Sequence, residues 1–292
     1  MRFGVRLGHG DAYSGDYVRL VARTAEELGF SSIWCSEHMA IPMSFESRYP
    51  YSPSGKPEFY EHMAFGTAMV TLAHAAAVTS TVRLSTCVIP LMAHHPVALA
   101  KDAATLDCLC GGRLELGLGA GWLKEEAQIL GLASDHPAGR LEEAIELMRS
   151  AWATSPYEFD GAYWQVPPVV SRPLPPQRAE LPIWIGGTSP RAVSLARRKA
   201  TGLVVAQREA HKVGELRSEL PVETKIAIGI AFAPDFGVDP VREQLDQLLL
   251  ARIDTVILQC NADLDSTIAA LGSFARKVLP YYRGDGDHGS AS

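Results

Sequence analysis

The chain has 292 residues, of which 47% are hydrophobic and 21% charged, and a formal net charge of -6. This length suits one α/β barrel better than a single sandwich or two large domains. An acidic balance without any run of Lys or Arg argues against nucleic acid or an anionic membrane surface as a partner, and no apolar run is long enough to span a bilayer.

The N-terminus, MRFGVRLG, lacks the basic-then-apolar pattern of a signal peptide, so a cytoplasmic protein is expected. Phe3, Val5 and Leu7 alternate as in a half-buried strand, and Val18, Val21, Ala22, Ala25 and Leu28 follow at helical spacing up to Gly29. The pattern recurs along the chain. IWC (33–35) precedes a helix near 63–79, RLSTCVI (83–89) a helix from Pro96 to Cys110, and RLELGLG (113–119) a helix near 138–152. PIWIGG (182–187) precedes a helix from Pro190, GLVV (202–205) a helix near 209–219, KIAIGIAF (225–232) a helix from Asp239, and TVILQ (255–259) a helix near 264–279. Eight strands alternating with eight helices imply a parallel sheet. In this length they favour closure into a single (β/α)8 TIM barrel over 1–282, with loop insertions at its C-terminal mouth. The polar, Gly-rich tail 283–292 is expected to be disordered.

Two stretches break the even spacing. Residues 43–62 carry Tyr49, Tyr51, Phe59 and Tyr60, and the Pro-rich, irregular stretch 156–178 carries Tyr157, Phe159, Tyr163 and Trp164. Both fit lids or binding loops, and equally surface excursions or oligomer contacts. The five cysteines, Cys35, Cys87, Cys108, Cys110 and Cys260, form no C-x-x-C pair. Neither a disulfide framework nor a zinc site is indicated.

In a parallel barrel the active site lies at the C-terminal strand ends, which here read unevenly. The second strand ends in Ser36-Glu37-His38, the third in Thr86-Cys87-Val88-Ile89-Pro90, the fourth in Gly117-Leu118-Gly119-Ala120-Gly121-Trp122 and the fifth in Gly186-Gly187-Thr188-Ser189. GGTSPR offers close backbone approach and a capped helix start, which suits a phosphate and also an ordinary βα turn. GLGAGW places Trp122 where a dinucleotide fingerprint needs its third glycine, so a Rossmann reading is rejected. Its alternate glycines make either a flat wall for a planar ring or a strand bulge. His38 is placed to exchange protons near neutral pH. His9, His38, His94 and His95 could converge on a metal, but an H-x-H on the first strand would need His where Asp11 stands.

AEELGFSSIWCSEH (25–38), LMAHHPVALAKDAATLDCLCGGRLELGLGAGW (91–122) and LPIWIGGTSPRA (181–192), in that order, closely resemble the bacterial luciferase-like family. Within it they resemble the oxidoreductases that use the deazaflavin coenzyme F420. The resemblance implies a barrel binding a deazaflavin or flavin at its mouth, with coenzyme F420 expected and FMN the alternative cofactor. It implies a non-proline cis peptide at Cys87-Val88 behind the ring, cofactor contacts from Gly119, Ala120, Gly121 and Trp122, and a phosphate turn at Gly186, Gly187, Thr188 and Ser189. It makes Glu37 and His38 the catalytic pair, with His38 beside the reactive ring carbon as proton donor and Glu37 orienting a neighbour or the coenzyme. No metal is implied, and a homodimer is. The expected reaction is hydride transfer between reduced deazaflavin and a small organic substrate. The alternatives are an FMN-dependent monooxygenase, a metal-dependent barrel hydrolase and a non-catalytic flavin-binding relative. Trp122 stands where a sugar-phosphate dehydrogenase of the family has its catalytic Glu, so that substrate is not expected, and 200–214 lacks the family's G-D-G-W.

Overall fold

The structure, a computed structural model, describes residues 1–8, 13–57, 64–231, 235–259 and 263–282. Its elements, in chain order, are β1 (Arg2–Arg6), α1 (Gly15–Glu27), β2 (Ser32–Cys35), α2 (Ala68–Ala76), β3 (Arg83–Thr86), β4 (Ile89–Pro90), α3 (Pro96–Leu109), β5 (Leu114–Gly119), α4 (Lys124–Ile129), α5 (Pro137–Ala153), β6 (Tyr157–Asp160), β7 (Gln165–Val169), β8 (Ile183–Gly186), α6 (Pro190–Lys199), β9 (Gly202–Val205), α7 (Val213–Glu219), β10 (Lys225–Ala231), α8 (Val238–Leu250), β11 (Thr255–Gln259) and α9 (Leu264–Lys277). Parallel pairing runs β3-β2-β1-β11-β10-β9-β8-β5 and returns from β5 to β3, which closes an eight-stranded barrel. The expected (β/α)8 architecture is therefore present. Among the described residues no helix is long and apolar enough to cross a membrane.

Three features depart from the predicted elements. The stretch 156–178 contains an antiparallel hairpin, β6–β7, instead of being wholly irregular. Pro167 and Pro168 hid the second strand, but a two-stranded ribbon consists of edges, where a missing N–H is tolerated. The short helix α4, only six residues long, gave too little periodicity to be found. The third barrel strand is divided into β3 and β4. Predictions for His9, Asp11, Phe59, Tyr60, Cys260 and the tail fall outside the described residues.

Alternation in β1 sorts the core into two parts. Phe3, Val5 and Leu7 face outward into the large cluster between strands and helices, where Phe3 meets the Phe274 ring edge-on. Gly4 and Arg6 therefore face the barrel interior. A second cluster fills that interior: Trp34, Trp184, Ala227 and Ile257, with the two indoles 5.7 Å apart and edge-to-face. A side chain on Gly4 would lie 2.5 Å from both Ser32 Oγ and Trp34 Nε1, so glycine makes room for the indole. Each indole N–H has a partner, Ser32 Oγ for Trp34 and Glu115 Oε2 for Trp184. Buried Glu115 is in turn paired with Arg83 at 3.0 Å and accepts from Ser85. These side chains thus place paired polar groups beneath an aromatic layer at the floor of the barrel.

Register shows why the third strand is divided. Ser85 faces Glu115 and Ile89 faces Leu118, so four steps on one strand match three on its neighbour. The extra residue makes a bulge. Within it Thr86 Oγ1 donates to the Gly117 carbonyl and accepts the Gly117 N–H, both at 2.7 Å. The hydroxyl replaces the ladder partners that the bulge removes, and a Cβ on Gly117 would overlap the Thr86 carbonyl. The Cys87-Val88 peptide that follows is cis. Thr86→Val keeps the shape but strands two buried backbone groups. It is expected to cost about 2–3 kcal/mol and to lower the thermal midpoint, whereas Thr86→Ser should retain most of the stability.

Candidate active site

Adjacent residues at the end of β2 turn to different partners. Glu37 is buried, with Oε1 2.5 Å from His94 Nε2 and Oε2 accepting the N–H of Ala68 at 2.7 Å. Ala68 opens α2, whose N-cap Thr67 makes no side-chain capping bond. Glu37 supplies that cap from another strand and places negative charge at the positive helix end. Its carboxylate is occupied by these tasks, and it orients His94.

His38 takes its partner from α4. Its Nδ1 lies 3.0 Å from Oε2 of Glu126, whose side chain is 1% exposed. Glu126 Oε1 also accepts the N–H groups of Met39 and Ala40, at 2.5 and 3.1 Å. Phe65 and Trp122 approach the imidazole edge-on, at 5.2 and 5.9 Å between ring centroids. Trp122 also packs edge-on against Phe45 and Tyr49, and Tyr49 against Tyr51. His38 is therefore part of an aromatic wall made by the loop after β2 and the residue that follows the β5 glycines. Neighbouring Glu125 holds the same loop by accepting the N–H groups of Glu46 and Ser47, and Lys124 donates its N–H to Ser47 Oγ.

The third-strand bulge sets the floor of the mouth. The Val88 side chain rests over Gly119 and Gly186, where a Cβ on either would come within 2.8 Å of it. Cys87 packs on the interior indole cluster and donates its N–H to Cys35. Burial pushes its thiol up, partly opposed by the Arg6 guanidinium. Gly121, at φ +95°, leaves the space that the Met92 side chain occupies. Ala120 borders a small cleft with His94, Arg140 and Trp164. At the far side Gly187 has φ +104° and gives its N–H to Val204, so its own amide belongs to the barrel ladder. Ser189 caps α6 by accepting from Ala192. Thr188 donates to Glu209 at 2.5 Å and accepts from Lys212 at 3.1 Å. Tyr51 lies over this turn, 3.8 Å from the Cβ position of Gly187, and its carbonyl accepts from Arg208. Burial, and then Glu209, push the Tyr51 hydroxyl up to about 12.

The predicted residues thus surround one mouth, with His38 and Trp122 in its wall, Cys87, Val88, Gly119 and Gly186 in its floor, and Gly187, Thr188 and Ser189 opposite. Glu37 stands behind the rim. Among the described residues no group of three His, Cys, Asp or Glu could hold a metal ion. Sequence reasoning missed Glu126, Arg6, Lys212 and the pairing of His94. Two of these carried a signal. Glu126 falls on the stripe of Leu123, Ala127 and Leu130 at helical spacing, where an acid is out of place unless paired, and Arg6 shares the inward face of β1 with Gly4.

Over residues 1–223 the chain matches the luciferase-like monooxygenase family. An uncharacterized protein of Mycobacterium tuberculosis is 30% identical over 271 residues, covering 89% of this chain and 93% of that protein. The monooxygenase RslO1 from Streptomyces bottropensis shares the fold with a TM-score of 0.79 at 22% identity, over 97% of this chain and 100% of that one. So does an F420-dependent secondary alcohol dehydrogenase in complex with an F420-acetone adduct, with a TM-score of 0.75 at 18% identity, over 97% and 99%.

The loop clamp has a pH signature. Burial alone would raise the Glu125 carboxyl, but hydrogen bonds from Ser47 and the Glu46 N–H bring it from 4.5 down to about 2. A depressed carboxyl stabilises the fold above its unfolded value and loses that contribution as pH falls toward its folded value. Glu125→Gln should therefore melt lower than the parent at pH 7, with the gap closing between pH 4.5 and 2. Melting curves across that range check this, and a gap independent of pH contradicts it.

Proposed function

From the premise that the chain belongs to the luciferase-like monooxygenase family, we propose that it is an oxidoreductase that takes reduced coenzyme F420 at the barrel mouth. Its substrate is a small apolar or aromatic molecule, an enone or imine, reduced at an electrophilic carbon. The observation that carries this reading is the shelf at the third-strand bulge. Val88 lies across two glycines, and side chains on Gly119 or Gly186 would displace it. A planar ring fits such a shelf, because Val88, seated in the space that both glycines leave, presents a short apolar side chain against which a ring can lie. A phosphate would take over Thr188 and Lys212 from Glu209, which now accepts from them at 2.5 and 2.8 Å, beside the start of α6 that Ser189 caps.

When bound, the deazaflavin supplies a hydride from ring carbon C5. The protein's own groups do the rest. Phe45, Tyr49, Phe65 and Trp122 exclude water and select an apolar substrate. His38 delivers the proton that completes the two-electron reduction. Glu37 holds α2 and His94 in place and takes no part in bond making.

Lys212, once released from its ion pair with Glu209, would also suit the terminal phosphate of FMN, which supports a second reading, an FMN-dependent monooxygenase. Anaerobic fluorescence titrations with F420 and with FMN separate the two. F420 should bind at least about tenfold tighter, or ~1.4 kcal/mol. Preference for FMN, with oxygen consumed in step with substrate, would establish the second reading instead. Gly186→Ala should lift Val88 and weaken coenzyme binding about tenfold. His38→Gln should leave binding intact but lower kcat by about 100-fold or more.

A further inference from the structure

We propose that Glu126 is the positioning residue of this site, holding the neutral His38 ring in the tautomer with its proton on Nδ1 and so making Nε2 the atom that hands a proton to substrate. The inference rests on the reading of His38 as the proton donor. It concerns a residue that the coenzyme is not expected to touch.

Its basis is the division of labour between the two oxygens of one buried carboxylate. Oε1 accepts two backbone N–H groups, from Met39 and Ala40, and Oε2 faces His38 Nδ1 at 3.0 Å. A carboxylate acting as acceptor at Oε2 needs a donor opposite, so Nδ1 carries hydrogen and Nε2 is left with its lone pair in the neutral ring. Phe65 and Trp122 approach the ring at 83° and 82°, so packing resists rotation out of this plane. Glu126 is itself fixed, because α4 is tied to the loop at two places after His38, through Met39 and Ala40 and through Glu46 and Ser47. Ring tautomer and the loop that bears the ring are therefore set by one helix of six residues, while Phe65 and Trp122 hold the ring plane.

The proton step balances in this arrangement. His38 takes a proton from solvent on Nε2. That N–H bond breaks as the proton passes to the substrate atom that gains electrons, and the ring returns to its Nδ1–H form with Glu126 still accepting. With the tautomer reversed by a donor opposite Nδ1, the ring could give up its Nε2 proton only by keeping hydrogen on Nδ1 against that donor, so proton delivery from Nε2 is disfavoured.

A purely structural Glu126 would tether Met39 and Ala40 and nothing more. Glu126→Gln separates the roles: its amide oxygen can still accept from both N–H groups, while its NH2 faces Nδ1 as a donor and reverses the tautomer. The readout is the nitrogen and Cδ2 chemical shifts of His38 in isotope-labelled protein without coenzyme, assigned by comparison with His38→Gln. The parent should show Nδ1–H and Glu126→Gln should show Nε2–H. The variant's kcat should fall at least about tenfold with coenzyme affinity unchanged, and Glu126→Asp should restore the parent tautomer. An Nε2–H ring in the parent overturns the proposal, and that measurement stands even where a variant fails to fold. Reversed tautomer with full turnover also overturns it. If instead His38→Gln retains full turnover while the parent shows Nδ1–H, the proton-donor reading falls and the tautomer assignment survives.

Discussion

One hydroxyl group allows the barrel to have this mouth. Thr86 Oγ1 satisfies both backbone groups of Gly117, and only because of this can the third strand carry an extra residue without leaving buried amide groups unpaired. The extra residue turns Val88 onto Gly119 and Gly186. Three glycines on two neighbouring strands thus have one cause: Gly117 yields to the Thr86 carbonyl, and Gly119 and Gly186 yield to Val88. In a continuous ladder these positions would be free to carry the large apolar side chains that usually fill such barrels.

The rim is built by exchange of partners. Glu37 and His38 are neighbours in sequence and form no pair with each other. Glu37 pairs with His94 from the segment after β4, and His38 with Glu126 from α4. Each pair ties the end of β2 to a different strand's loop, so the local direction of the chain there is determined by contacts remote in sequence. Glu125, Glu126 and the N–H of Lys124 together fasten residues 39–47, and Trp122 just before them supplies the aromatic surface that those residues cover. A loop without regular structure becomes a wall because a short helix supplies its hydrogen-bond acceptors.

The barrel was legible in the sequence because apolar runs and helical stripes alternate cleanly, and Gly29, Gly111 and Gly112 punctuate them. The mouth was legible where composition is unusual, as in GLGAGW and GGTSPR. The β6–β7 hairpin was not, because Pro167 and Pro168 contradict strand signals and only an isolated edge tolerates them. Nor was the helix cap that Glu37 provides, because Ala68, whose N–H it accepts, lies thirty-one residues further on. Glu126 reads as one acid among several and is buried against His38. Long-range pairing of this kind leaves no local pattern beyond a charged residue on an apolar stripe.

The central claim is that a planar redox coenzyme lies on the Val88 shelf with His38 at its edge. A crystal structure of the protein soaked with F420 tests it most directly. The account predicts the ring against Val88, Gly119 and Gly186, with its phosphate at Thr188 and Ser189. A ring bound elsewhere on the barrel, or a mouth that stays empty under saturating coenzyme, would contradict it.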